Sequence, residues 1–492
     1  MEISFLQTKS GNQTFSVDNI FFHSKYSPET EAERFIAANT FDYEPKVIIV
    51  IEPGFSYLYP FLKKKYPDSK IGIIRIIEQI PDSSIWDFCI NINDFSKQSF
   101  SSLFNESEIL CTQFLCWPVA QKLFSDQIKN IYSVYKEAFE EAKSLIITRQ
   151  YFEKKWLINA FQNIKYLNEY IDFNKKIDVP VVITASGPSL EQAIPVIKKH
   201  SNHIFIICLS SAISVLYKND IIPDLVLTSD GGFWAGQHLK KLSVNKNIIA
   251  LPVEAFCQKN IKSKNVILPL YYSDGLTKDF FSLSNINAIK AERNGTVSGT
   301  PLELARKLTD KPVYFCGLDL SNSNGFQHTQ PNEIELNSSL HDCKMTSQEQ
   351  RVSKSQFNTY SLSIYRNWFC NLQNVSNIFR IIKKDSQASL GKITDITAEE
   401  FETKLQNLPE KSNYFNEIQT IDPQTKKKIL QKLYAHTQNL LQNQKMQEQL
   451  FPLDYVSLTH CKNDEEKQEV LQRINENNDK LIIKIKKICG IK

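Results

Sequence analysis

Four polar clusters in this chain have the residue types and spacing for anion binding or proton transfer. The first is Ser186, Gly187, Pro188, Ser189 and Leu190, inside the stretch VVITASGPSLEQ. An apolar run stops at Ala185 and a glycine follows. Ser189 and Gln192 match the capping box of a helix start. Glycine allows close approach of a ligand to the backbone. A helix N-terminus offers amide donors and the positive end of a dipole. The expectation is a strand-to-helix turn with free amides facing the strand tips and the helix starting at Leu190. Pro195 should kink that helix or mark where its regular part begins. No Walker lysine follows, so the turn is not a P-loop, and a plain structural turn would use the same residues.

The second cluster lies in RNGTVSGTPLELARKL. Asn294, Gly295, Thr296 and Ser298 make a loop rich in hydroxyls, an amide and bare backbone. Thr300 is the expected N-cap, Pro301 the first helical residue, and Glu303 completes a capping box. That box can serve the helix alone while the loop before it holds an anion. The third cluster pairs Ser210 and Ser211 in CLSSA with Asp230 in PDLVLTSDGG; Asp224, after Pro223, reads as a turn-orienting residue. The fourth is GLDLSNSNGFQH, with Asp319 and then His328.

These clusters sit at the ends of apolar segments. VPVVITA, HIFIICLS, DLVLTSD, NIIALPV, NVILPLYY and PVYFCGLDL read as strands alternating with helices. Near-continuous apolar runs are expected of parallel strands covered on both faces. In a doubly wound α/β domain the strand tips converge on one crevice, so polar groups gathered there form one site.

Upstream, KVIIVIEPGFSYLYPFLKKKYPDSKIGIIRIIE reads as strand, turn, helix, strand. Its turn has one glycine, Gly54, where a dinucleotide fingerprint supplies three. Glu78 stands where a ribose-binding acid would sit. A structural Rossmann-like domain is the expectation. With 492 residues, about three domains are expected. The reading is an N-terminal Rossmann-like α/β domain at 1–124, a helical connector at 125–175, a central doubly wound α/β domain at 176–335 and a mostly helical C-terminal region at 336–492. Asp422 and Pro423 are the expected N-cap and first residue of a helix in the last region.

The formal charge of +4, from 58 basic and 54 acidic residues, argues against a nucleic-acid or membrane surface. No apolar run approaches the ~20 residues that span a bilayer, and the opening MEISFLQTKSGNQTF lacks the pattern of a secretory signal. The ten cysteines show no CxxC pair, so neither a zinc site nor a disulfide framework is expected. A cytoplasmic protein without membrane insertion is the expectation.

GPSL, the serine pair, IIPDLVLTSD, NGTVSGTPLELARKL and GLDLSNSNGFQH occur in that order, flanked by WPVAQKLF, KKWLINAFQNI and YSLSIYRNWF. Together they resemble the motility-associated factor (Maf) flagellin glycosyltransferases. The central domain of that family is also similar to a hydroxymethylpterin pyrophosphokinase and to bacterial sialyltransferases that use CMP-sialic acid. The resemblance implies a sialyltransferase-like central domain. It implies transfer of a nonulosonic acid of the pseudaminic or legionaminic type from its CMP-activated form to Ser or Thr of flagellin. Ser186, Gly187, Pro188, Ser189 and Leu190, with Ser210 and Ser211, would line the donor. Asn294, Gly295, Thr296 and Ser298 would hold its phosphate or sugar carboxylate. That allocation requires both helix starts to lie on one side of the sheet.

Such a reaction needs a base for the acceptor hydroxyl. His328 is the first candidate and His341 the second, with Asp319 or Asp230 orienting the histidine or binding the acceptor. No cofactor is required for this chemistry, although Asp230 could hold Mg²⁺. Two other readings stand beside it: a Mg²⁺-dependent pyrophosphokinase acting on a pterin-like alcohol, and a non-catalytic flagellin-binding factor.

Overall fold

The computed structural model describes the chain except residues 1, 81–83, 244–245, 295, 321–325, 327, 351–358, 384–387, 462 and 492; the side chains of 243 and 359–361 are likewise left aside. Two compact units emerge. One comprises Met1–Glu153 with Asn443–Lys480, the other Lys154–Gln442 with Leu481–Lys492.

The first unit is built on the strands Val47–Ile51, Lys70–Arg75, Phe88–Asn91 and Thr112–Cys116. All pair in parallel, with Val47–Ile51 between Lys70–Arg75 and Thr112–Cys116. Every side chain of Val47–Ile51 is buried, as expected for a strand covered on both faces. The strand–turn–helix–strand reading of this stretch matches, with a short helix at Tyr59–Lys65. A three-stranded antiparallel sheet, Ile3–Gln7, Gln13–Val17 and Ile20–Phe21, precedes it.

The carboxyl ends of Val47–Ile51 and Thr112–Cys116 flank the point where strand order reverses, which is where such a fold binds ligands. Here that place is filled from within. Gly54 has φ +68°, and a Cβ on it would lie 2.5 Å from His23 Nε2 and 2.7 Å from the Phe22 ring. His23 Nε2 accepts from the Phe55 amide at 3.0 Å, and the Trp117 indole donates to the Phe22 carbonyl at 2.8 Å. Glu52, fully buried, accepts from the amides of Ile76 and Ile77 and pairs with Arg75 at 2.7 Å. Glu78 accepts from the Asn93 side chain at 2.9 Å.

The second unit carries the long sheet. From one edge the order is Thr394–Ile396, Ile378–Ile381, Val313–Cys316, Val181–Thr184, Phe205–Leu209, Leu225–Leu227, Ile248–Pro252 and Val266–Tyr272. These neighbours are all parallel. All six strands read from the sequence in this region are present. After the short strand Glu169–Tyr170, the chain enters the middle of the sheet at Val181–Thr184, runs outward on one side, then returns to the other side with Val313–Cys316. The order therefore reverses beside Val181–Thr184, and the tips of these two strands define the switch point.

The boundary expected at 336 does not hold as a change to a helical region. Ile378–Ile381 and Thr394–Ile396 extend the central sheet, Gln419–Thr420 pairs with Glu169–Tyr170, and Asn443–Lys480 belongs to the first unit. The physical reason is Arg380, which interrupts the apolar run NIFRII. It is fully buried and grips Asp395 with two bonds of 2.7 Å, while also donating to the Ala388 carbonyl. A paired, desolvated arginine passes for a surface residue in the sequence. Asp422 does cap its helix, Pro423–Leu440, accepting from the amides of Gln424 and Thr425.

Candidate active site

A cavity of about 330 Å³ opens at the switch point of the long sheet. Each wall comes from one strand tip. Ser186, Gly187 and Pro188 follow Val181–Thr184, and Ser210 and Ser211 follow Phe205–Leu209. Thr228 and Asp230 follow Leu225–Leu227. Gly317, Leu318 and Asp319 follow Val313–Cys316, with His328 further along the same connection. Thr296, Val297 and Ser298 enter from the second loop, so both turns face one cavity. Of the sequence candidates, the structure thus brings together Ser186, Gly187, Pro188, Ser210, Ser211, Thr296, Ser298, Asp230, Asp319 and His328. Gly295 lies outside the described residues. His341 is exposed, and it, Ser189, Leu190 and Asn294 do not line the cavity.

The first turn is not the row of free amides expected. The Ser189 hydroxyl is donated to Asp319, and its amide reaches the other oxygen of that carboxylate at 2.9 Å. The capping box with Gln192 is therefore not formed: Ser189 makes no side-chain cap bond, and the helix Leu190–Lys199 starts directly and contains Pro195. The Gly187 amide donates to the Gly317 carbonyl at 2.8 Å, and the Leu190 amide to the Gly187 carbonyl at 3.0 Å. Asp319 supplies the negative charge that the helix N-terminus favours. The expected catalytic Asp319 thus binds two donors of the GPSL turn, and Leu190 is buried beneath it. Gly187 is required by closeness: a Cβ would lie 2.5 Å from the Gly317 carbonyl oxygen and 2.6 Å from Asp319.

The second turn also differs in detail. Its helix runs Gly299–Leu308 from Ser298, so Thr300 and Pro301 lie inside it and no capping box forms. Asn294 stands at the cap position: with its amide turned so that both atoms find partners, its oxygen accepts from the Thr300 amide at 3.1 Å and its nitrogen donates to the Thr296 carbonyl at 2.7 Å. Glu303 pairs instead with Arg306. Arg293 anchors the loop from behind. Its guanidinium meets Glu254 at 2.5 Å and Asp274 at 2.9 Å, and lies over the rings of Tyr272 and Trp156. Burial opposes its charge, but Glu254 and Asp274 outweigh that and hold it cationic.

Helix Ser125–Lys165 positions the Asp230 loop through residues of KKWLINAFQNI. Asn159 donates to the carbonyls of Gly231 and Glu254, and a Cβ on Gly231 would strike the Trp156 ring at 2.4 Å. Asp230 itself is exposed at the cavity, accepting from the Gly232 amide at 2.7 Å. Asp224 lies elsewhere, bonded to the Ile206 amide and to Lys411.

Several lining residues escaped the sequence reading. His238 is buried, and burial followed by the charge of nearby His328 pushes its pKa down to about 4. Burial also lowers His328, with Glu335 acting in the opposite sense. Trp234 lines the cavity while 64% exposed. Thr228 Oγ1 is buried with no hydrogen-bond partner. Leu362 and Tyr365 come from YSLSIYRNWF. Thr228 lies in IIPDLVLTSD and the last pair in YSLSIYRNWF, so those stretches carried a signal; His238 and Trp234 stand in no motif. Among the described residues, no lysine or arginine lines the cavity, and no group of three or more His, Cys, Asp or Glu is arranged to hold a metal ion. No described helix is long and apolar enough to cross a membrane.

Comparison with known proteins agrees with this architecture. The family described as 6-hydroxymethylpterin diphosphokinase MptE-like matches residues 154–325. The solved structure of a MAf glycosyltransferase from Magnetospirillum magneticum AMB-1 superposes with a TM-score of 0.54 at 12% identity, covering 99% of this chain and 90% of that one. Two uncharacterized proteins of Treponema pallidum (strain Nichols) are similar. One is 27% identical over 293 residues, 59% of this chain and 64% of its own length. The other is 23% identical over 178 residues, 35% of this chain and 30% of its own. The chain thus spans less than two thirds of either relative. Both parts of the resemblance read from the sequence that these comparisons reach are met: the chain has the fold of a Maf glycosyltransferase, built around an MptE-like region.

Proposed function

We propose that this protein is a glycosyltransferase that moves a nonulosonic acid from a CMP-activated donor to Ser or Thr hydroxyls of flagellin. The observation that supports this reading over its rivals is the extent of the likeness. The MptE-like match stops at 154–325, whereas the MAf glycosyltransferase covers 99% of the chain, flanking regions included. The pyrophosphokinase reading does not account for the regions flanking the core.

The cavity chemistry is compatible with that donor. CMP and the sugar carboxylate would be met by the hydroxyls of Ser186, Ser210, Ser211, Thr228, Thr296 and Ser298. Trp234 offers a face for stacking. Departure of CMP passes through an oxocarbenium-like state, as in glycosidic cleavage generally. His328, kept neutral by burial, would take the acceptor proton. Asp319 would act indirectly, by holding the turn that forms one wall. Mg²⁺ at Asp230 would find one carboxylate already bonded to an amide, so the rest of its shell would have to come from water and phosphate.

The experiment is thermal stabilisation by CMP, CDP, ATP and GTP, each with and without Mg²⁺. A ligand at 100 times its Kd should add roughly 2.7 kcal/mol. Stabilisation by CMP without metal, followed by turnover of a CMP-nonulosonate with flagellin, is expected. Stabilisation only by ATP with Mg²⁺ would replace this reading with the pyrophosphokinase. Binding of flagellin with no turnover of any CMP-sugar would leave the non-catalytic factor.

A further inference from the structure

Beside the cavity, the candidate base His328 has a carboxylate neighbour that the transfer reading leaves unused. His328 Nδ1 is buried without a hydrogen-bond partner, and Glu335 Oε1 lies 3.9 Å from it. Both residues are fixed by the walls of the cavity. Thr329, beside His328, donates its amide to the Ser186 carbonyl at 2.7 Å and its hydroxyl to the Gly187 carbonyl at 2.6 Å. Glu335 stands in the first turn of helix Glu333–Ser339. The cap of that helix, Asn332, is fully buried and donates to the Ser211 carbonyl at 3.3 Å. The histidine is thus tied to one wall and the carboxylate to another, with a gap slightly longer than a hydrogen bond. Catalytic hydrogen bonds are often long without ligand and tighten when the complex forms.

We propose that Glu335 is the positioning residue for His328. Its carboxylate accepts Nδ1–H, fixes that tautomer, and leaves the Nε2 lone pair to take a proton from an alcohol bound in the cavity. In the transfer reading, on which this rests, the acceptor O–H bond breaks and its proton goes to Nε2. The acceptor oxygen bonds the anomeric carbon, and the bond from that carbon to the phosphate oxygen breaks with its electron pair leaving on CMP. The carboxylate offsets the imidazolium charge that results.

The other groups nearby do not supply this. His238 faces His328 but is held neutral, with a pKa of about 4. Glu333, on the same helix, accepts from Ser214 at 3.0 Å and lies 4.0 Å from Lys241. Asp319 binds Ser189.

The test is a histidine NMR titration of wild type, Glu335→Gln and Glu335→Asp, with His328→Asn to identify the His328 signal, alongside turnover as a function of pH. Removing the carboxylate removes the influence that raises the His328 pKa. Glu335→Gln should therefore lower that pKa by about half a unit or more and reduce the Nδ1–H tautomer. Turnover should fall roughly tenfold to a hundredfold with KM little changed, its acid limb moving to lower pH; Glu335→Asp should recover part of both. A His328 signal that titrates identically in wild type and Glu335→Gln overturns the proposal, even in an active transferase. Wild-type protein that turns over no CMP-sugar defeats the transfer reading instead, and the titration still decides the role of Glu335.

Discussion

The molecule contains the same architectural opportunity twice and uses it in opposite ways. Both units have a parallel sheet whose first central strand is flanked by a reversal of strand order. In the first unit the carboxyl end of Val47–Ile51 meets Phe22, His23 and Trp117, and a buried Glu52–Arg75 pair closes the turn. In the second, the carboxyl end of Val181–Thr184 faces about 330 Å³ of open space lined by hydroxyls and two histidines. The lesson is that a switch point is only a place. What makes it a site is whether the chain's own side chains fill it. Both turns need a glycine for closeness, Gly54 against side chains and Gly187 against the Gly317 backbone and Asp319, so a glycine alone does not distinguish them.

This contrast can be broken by exchange of effects. The largest is expected at the glycines. Gly187→Ala forces a Cβ onto backbone at 2.5 Å, which should cost about 1–3 kcal/mol and abolish ligand binding in the cavity. Gly54→Ala, at φ +68°, should cost a similar amount in the first unit only and leave ligand affinity intact. Hydrogen exchange resolved by unit, with CMP titration of each variant, checks both. A Gly54→Ala protein that loses CMP binding would show that the first crevice is a site after all.

The histidines come next. His328→Ala should reduce turnover by about 10²–10⁴-fold with little change in melting temperature. His23→Ala should do the reverse, removing about 2–4 kcal/mol from the first unit through the cavity it leaves. Parallel assays of turnover and thermal unfolding would expose any crossing of these roles.

Acid should unfold both units through buried neutral histidines. His23 has its pKa lowered to about 3 and His238 to about 4, chiefly by burial. The native state therefore binds fewer protons than the unfolded chain below the ordinary histidine pKa of 6.5. Stability must fall as pH drops from 6.5 toward these values. His23→Gln should flatten that slope in the first unit alone; hydrogen exchange at several pH values would find an unchanged slope if the sensitivity lies elsewhere.

The smallest effect is expected at Glu78. It occupies the ribose-acid position of a fold whose crevice is filled, and it accepts from the Asn93 side chain at 2.9 Å. Glu78→Gln should change stability by less than about 0.5 kcal/mol and leave nucleotide affinity unchanged. Any loss of nucleotide binding would contradict the filled crevice.

The sequence by itself determined the parallel strands and the tips that carry polar groups. Uninterrupted short runs such as VVIT and FIICL, bounded by turns, fit strands buried on both faces of a covered sheet, so the unbroken apolar character was the signal. It also determined the cap at Asp422, because that bond is local. Tertiary structure decided what each polar residue binds. Ser189 and Gln192 had the spacing of a capping box, but Asp319, some 130 residues away, took the serine. Thr300 had the same local credentials and lost the cap to Asn294. Arg380 hid a buried strand because its partner Asp395 is invisible to a local pattern. His238 and Trp234 reached the cavity, and Glu335 the side of His328, with no motif to announce them. Local rules fix the backbone's path through short-range sterics and hydrogen bonds; the partner of a side chain is set by which distant segments the fold brings within 3 Å.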